Sequence, residues 1–191
     1  MKKCLLVFGI LVFCASSVFA RSMPRWSAFP VSVYLPPEAS QSVIVKGAFN
    51  EWRANSKYIL RFIFKQSNVA KKNAKIKVAF KDSLSNNKPY QIREVFSFAP
   101  FMASGESTGY YYRVDINIAL KDSAGRKYSK KELRAISLQA VGRALGIRCD
   151  KSLDGVMACN SDLSALDVTK DDYKALHEVY RKTKKNKKDK D

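Results

Sequence analysis

Gln139-Ala140-Val141-Gly142-Arg143-Ala144-Leu145-Gly146-Ile147-Arg148-Cys149 decides how this chain is read. Small and apolar residues fill it, and Gly146 stands where a chain turns sharply out of a helix. Ten residues before Gln139, Ser129 and Glu132 have the spacing of a capping box that opens a helix. Leu133, Ile136, Ala140, Ala144 and Ile147 then recur at helical intervals as a core stripe. Glu132, Gln139 and Arg143 share another face, because steps of seven and four residues nearly complete whole turns. The spacing predicts a helix from Ser129 through Leu145, packed along one side.

Upstream, Val31-Ser32-Val33-Tyr34-Leu35 alternates and stops at Pro36-Pro37, the pattern of a first strand. Ser40 is placed to cap a helix whose apolar positions are Val43, Ile44, Ala48 and Trp52. Ile59 to Phe64 and Ala74 to Phe80 read as strands, Ser83 to Pro89 as polar loop, and Arg93 to Phe98 as another short strand. Ala99 to Gly109 reads as irregular, and Tyr110 to Leu120 as a strongly patterned strand. Thr169, Asp171 and Asp172 open a last helix with Tyr173, Leu176 and Val179 on its apolar side. This order predicts an α+β (α/β-like) domain, one twisted mixed sheet with three helices packed against it.

Residues 1–20 read as a secretory signal peptide of bacterial type. Lys2 and Lys3 begin it, Leu5 to Phe13 form its apolar run, and Val18-Phe19-Ala20 precede cleavage before Arg21. The mature chain is therefore expected to be secreted or periplasmic. Lipidation at Cys14 does not fit, since bulky Phe13 precedes it. The apolar run is too short for a stable span, so an integral membrane protein is not expected. Residues 21–180 make one domain, and 181–191 a tail expected to be disordered, with seven basic and two acidic residues. The formal charge of +18 suits an anionic envelope or host surface, or solubility alone; no specific nucleic acid is expected. Cys149 and Cys159 remain once the signal is removed. In an oxidising compartment they read as a disulfide, with two free buried thiols as the other reading.

Several segments, in chain order, resemble the matrixin branch of the metzincin zinc proteases. Trp26 with Pro30-Val31-Ser32-Val33-Tyr34 is similar to its opening strand. Ala48-Phe49-Asn50-Glu51-Trp52 and then Leu60-Arg61-Phe62 resemble the first helix running into the second strand. Val114-Asp115-Ile116-Asn117-Ile118 resembles the edge strand above the cleft, and Val141 to Ile147 the active-site helix. Asp154-Gly155-Val156-Met157 resembles the Met-turn, and Leu166 to Tyr180, with Thr169, Asp172 and Leu176, the closing helix. The likeness covers roughly residues 26–180.

The family signature H-E-x-x-H-x-x-G-x-x-H falls on Gln139, Ala140, Arg143, Gly146 and Cys149. The glycine is kept and the zinc-binding and catalytic side chains are not. Gln139 is a poor zinc ligand, Arg143 stays charged and repels a cation, and Ala140 has no base to activate water. The chain's one histidine, His177, lies alone in the last helix and reads as a surface or packing residue. The resemblance thus implies a metzincin-type fold with no cofactor, no metal and no catalytic residue. Met157 packs under a helix end without needing a metal. A Cys149–Cys159 bridge is expected to replace zinc as the staple between helix exit and turn.

Three functional classes follow. The first is a catalytically inactive module that binds a protein or peptide through the former substrate cleft. Arg143 then grips a carboxylate bidentately; its other reading is pairing with Glu132 or Asp150, or reaching solvent. Tyr110, Tyr112 and Asp115 lie in the strand expected to receive an extended peptide, and the tyrosines equally read as ordinary strand residues. The alternative is a basic envelope- or host-surface-binding protein working through its charge. The third is an atypical metallopeptidase-like enzyme, for which Glu51, Glu106 and Asp115 supply carboxylates but no spacing singles out a pair.

Overall fold

The computed structural model describes residues 24–54, 56, 59–98, 109–159, 163 and 167–181. The predicted signal peptide, Glu106 and the tail from 182 lie outside them. In chain order they form β1 (Val31–Tyr34), α1 (Ser42–Ala54), β2 (Phe62–Lys65), α2 (Asn68–Asn73) and β3 (Ile76–Lys81). Then come β4 (Tyr90–Phe98), β5 (Gly109–Ala119), α3 (Lys130–Ala144) and α4 (Lys170–Arg181). The sheet order is β2-β1-β3-β5-β4, parallel throughout except for antiparallel β4. The class is α/β, with one mostly parallel five-stranded sheet. Among the described residues no helix is long and apolar enough to cross a membrane.

Alternation along the strands decides which sheet face becomes the core. Val31 and Val33 of β1, Ile76 and Val78 of β3, and Val114, Ile116 and Ile118 of β5 are all buried on one face. There α1 and α3 pack on each other and α3 lies against β5 and β4. The connection β1–α1–β2 runs one way along the sheet, and β2–α2–β3 returns the other way across β1. Right-handed crossovers therefore put α1 and α2 on opposite faces. Lys71 of α2 accordingly sits over Tyr34, an outer-face residue of β1, 5.4 Å from its ring centroid.

Several boundaries differ from the expected ones. The buried face of α1 is Val45, Ala48, Phe49 and Trp52, with Val43 exposed. The helix begins at Ser42, whose hydroxyl donates to Pro36 O at 2.6 Å, and this shifts the inward stripe. Ile59 and Leu60 precede β2, because Ser56 O and Ser56 Oγ take their N–H groups in a turn. β4 starts at Tyr90. The short α2 has too few turns to show periodicity; its one sequence signal is Ser67, whose hydroxyl accepts from Ala70 N. The strand taken as the cleft edge is not at an edge: β5 lies between β3 and β4, and β4 closes the sheet.

α3 is the axis of the domain and both its ends are capped. The predicted box is complete: Ser129 Oγ accepts from Glu132 N at 3.2 Å, and Glu132 Oε2 from Ser129 N at 2.7 Å. At the other end Ile147 N donates to Gly142 O and Gly146 N to Arg143 O, with Gly146 at φ 97°, a Schellman motif. Trp26 Nε1 donates to Ala144 O at 2.9 Å and Tyr180 Oη to Leu145 O at 2.9 Å, so the remaining terminal carbonyls are satisfied from distant elements. In between, Trp52 Nε1 donates to Leu138 O at 3.0 Å.

The helix crossing closes on Gly142. A Cβ there would lie 2.7 Å from Trp52 Cζ2 and 2.5 Å from Met157 Sδ. Glycine within a helix ordinarily costs about 0.5–1 kcal/mol against alanine, so Gly142→Ala on an open helix would stabilise. Here we expect a loss of about 1–3 kcal/mol, read as a lower urea midpoint; an unchanged or higher midpoint contradicts the crossing.

Glu132 carries a second expectation. Hydrogen bonds first from Arg126 and then from Ser129 hold its carboxyl at about 2, below its ordinary 4.5. A depressed pKa means the contribution is complete above 4.5 and fades as pH falls toward 2. Glu132→Gln should therefore flatten the fall of the urea midpoint across that window; an acid limb as steep as the parent's contradicts it.

Candidate functional site

Between Glu132 and Ile147 only Glu132, Arg134, Gln139 and Arg143 are incompletely buried. Two of them are committed to structure. Glu132 serves the cap and binds Arg126 at 2.8 Å. Arg134 joins Glu51 at 2.8 Å and Asp167 at 2.9 Å. Glu51 is thereby a tether between helices and not a free carboxylate: its Oε1 also accepts from Val168 N. Gln139 and Arg143 are the other two, half-buried toward the helix exit, while Ala140 is buried in the core.

Arg143 is half-buried, and neither acid suggested for it by sequence takes it up. Glu132 is occupied, and Asp150 accepts from Ser152 N and Oγ, bonds that hold its carboxyl below the ordinary range. Among the described residues Arg143 forms no ion pair. Its positive charge acts instead on two phenols. Burial raises the pKa of both Tyr90 and Tyr111, and the charge of Arg143 acts on each in the opposite direction. Both therefore stay protonated and able to donate near a fixed cation.

The opposite wall is the inner face of β4. Tyr90, Ile92, Glu94 and Phe96 pair in register with Ile118, Ile116, Val114 and Tyr111 of β5. The step from Val114 to Tyr111 is odd, so a strict period of two would turn Tyr111 outward. A bulge keeps it in: Val95 pairs with Arg113 and Phe96 with Tyr111, leaving Tyr112 as the extra residue. Tyr111 Oη donates to Glu94 Oε1 at 3.2 Å, and its ring stacks on Phe96 and tilts against Trp26. Tyr90, Glu94 and Tyr111 were not singled out by sequence, since pairing register and bulge position are invisible there.

Three proposed binding residues do not join this wall. Tyr110 lies under the Arg25 guanidinium, 5.7 Å from the ring centroid. Tyr112 is exposed, with Lys75 Nζ 4.5 Å from its centroid. Asp115 alternates to the outer face, where Oδ1 lies 3.3 Å from Arg113 Nε without hydrogen-bond geometry, leaving both atoms buried and unsatisfied. His177 is half-buried in α4.

The floor is the turn Asp154-Gly155-Val156-Met157, held by a buried carboxylate. Asp172 Oδ2 accepts from Val156 N at 3.1 Å and Thr169 N at 2.9 Å, while Oδ1 accepts from Met157 N at 3.0 Å. Thr169 Oγ1 donates to Asp154 O. Gly155 is required, as φ is 146° and a Cβ would come within 2.6 Å of Thr169 Oγ1. Met157 packs beneath Gly142. The expected staple is thus supplied in part by Asp172, and Asp150 N to Met157 O at 3.1 Å ties the helix exit to the turn. Cys149 and Cys159 are exposed free thiols with Sγ atoms 2.6 Å apart, neither bonded nor buried as the sequence suggested.

This residue set does not fit a zinc ion. The positions expected to ligate carry an amide, a permanent cation and a thiol facing a second thiol. Among the described residues no group of three His, Cys, Asp or Glu side chains is gathered for a metal. No protein-family model matches the chain, and no curated protein matches it in sequence.

The facing thiols carry a prediction. Glutathione disulfide should remove both free thiols from the folded protein by thiol titration, with a gain of about 2–3 kcal/mol that Cys149→Ser abolishes. Two titratable thiols after oxidation, or a variant as stable as the oxidised parent, contradicts it.

Proposed function

We propose that this chain is a secreted, catalytically inactive metzincin-like module of matrixin type that binds a protein or peptide along its former substrate cleft. The observation that carries the reading is Arg143, half-buried at the helix exit, its charge acting on the Tyr90 and Tyr111 phenols, with no ion pair among the described residues. An antiparallel edge strand facing the helix of the degenerate signature, a glycine exit and a turn bearing Met157 are features in keeping with that family.

The chemistry follows from β4. Among the described residues no strand lies beside its outer edge, so an extended peptide can add there by main-chain hydrogen bonds. Alternate side chains of that peptide then face α3. A carboxylate on one of them meets a guanidinium whose planar fork suits two oxygens. Protonated Tyr90 adds a neutral donor.

Anisotropy titrations with extended peptides, each in a carboxylate and an amide form, test this. The carboxylate forms should bind, and Arg143→Ala should weaken them about 10- to 100-fold. Arg143→Lys should not rescue, because an ammonium lacks the fork. Equal affinity for both forms, or an unaffected Arg143→Ala, overturns the reading, as would chelator-sensitive peptide cleavage.

A further inference from the structure

Between Trp52 and Lys81 the sequence holds nine Lys or Arg residues and no Asp or Glu. The segment takes in the end of α1 and then β2, α2 and β3, and α2 places part of that charge on the outer sheet face, away from the Arg143 site. Lys71 lies over Tyr34, Lys77 Nζ donates to Lys72 O at 3.1 Å, and Lys75 lies over Tyr112. Asp115, opposite Lys77 in register, has its Oδ1 3.3 Å from Arg113 Nε, an ion pair across the outer face. The strip is therefore a basic surface with no free acid of its own.

Two aliphatic side chains stand exposed within it. Ile63 alternates outward from β2 and is 49% exposed; Val69, in the first turn of α2, is 77% exposed. Cations alone would suit any polyanion. Cations interleaved with aliphatic side chains on one face suit a surface that is anionic outside and apolar just beneath.

We infer that the outer face of β2, α2 and β3 docks on an anionic lipid bilayer. Lys71, Lys72, Lys75 and Lys77 meet the headgroups, while Val69 and Ile63 leave water at the acyl boundary. Each lysine near such a surface contributes about a fivefold gain in binding. The inference is independent of the peptide site, which opens on the other face of the sheet.

Flotation of the full chain with phosphatidylcholine vesicles, with and without phosphatidylglycerol, tests it. Binding is expected only with phosphatidylglycerol. Lys71→Ala with Lys72→Ala should weaken it about 25-fold, and Val69→Ser, at unchanged charge, about threefold. The control pair Lys130→Ala with Lys131→Ala, at the start of α3 beyond the strip, should weaken it far less. Absence of binding to phosphatidylglycerol vesicles overturns the inference. So does equal loss in the control pair, which would make net charge the cause. Wild-type binding by Val69→Ser also overturns it and leaves a polyanionic chain as the partner.

Discussion

At Gly142 three parts of the chain meet where one hydrogen atom is all the space allows. Trp52 of α1 and Met157 of the turn both press on that Cα, and the Trp52 indole donates to the carbonyl of Leu138 one turn earlier. Because α1 approaches so closely, α3 is buried along most of its length beyond its first turn. Position 142 thus sets the depth at which Arg143 sits. It also brings Met157, and the turn that carries it, up against the helix.

The turn would have little reason to stay there without Asp172. A buried carboxylate is costly unless its oxygens are satisfied, and here backbone N–H groups of Val156, Met157 and Thr169 supply the donors. The start of α4, the turn and the exit of α3 become one rigid unit. None of the contacts that hold this unit passes through Gln139, Arg143 or Cys149. Arg143 places a fixed positive charge at the helix exit.

The two faces of the sheet differ in the chemistry they present. On the inner face the charge of Arg143 acts on the phenols of Tyr90 and Tyr111, the latter bonded to Glu94, an arrangement suited to few, directional bonds. On the outer face the lysines are spread over strands and α2, with solvent between them, where many weak charges add. Right-handed crossovers produce this division, because they force α1 inward and α2 outward from the same three strands.

Period and composition made much of this legible. The capping box at Ser129, the core stripe of α3, the turning role of Gly146 and the strand patterns of β1, β3 and β5 are local properties written in spacing. So were the amide, guanidinium and thiol at Gln139, Arg143 and Cys149 and the acid-free run from Trp52 to Lys81. Which strand closes the sheet was not legible, because β4 and β5 have similar patterns and only hydrogen-bond pairing distinguishes an edge from an interior. The bulge that turns Tyr111 inward depends likewise on a partner strand. Asp172 read simply as an acidic residue in a helix's first turn. Its role arises because the fold brings Val156 and Met157, fifteen and more residues away, to its oxygens. Local spacing determines elements, and only tertiary contact decides which side chains those elements leave facing one another.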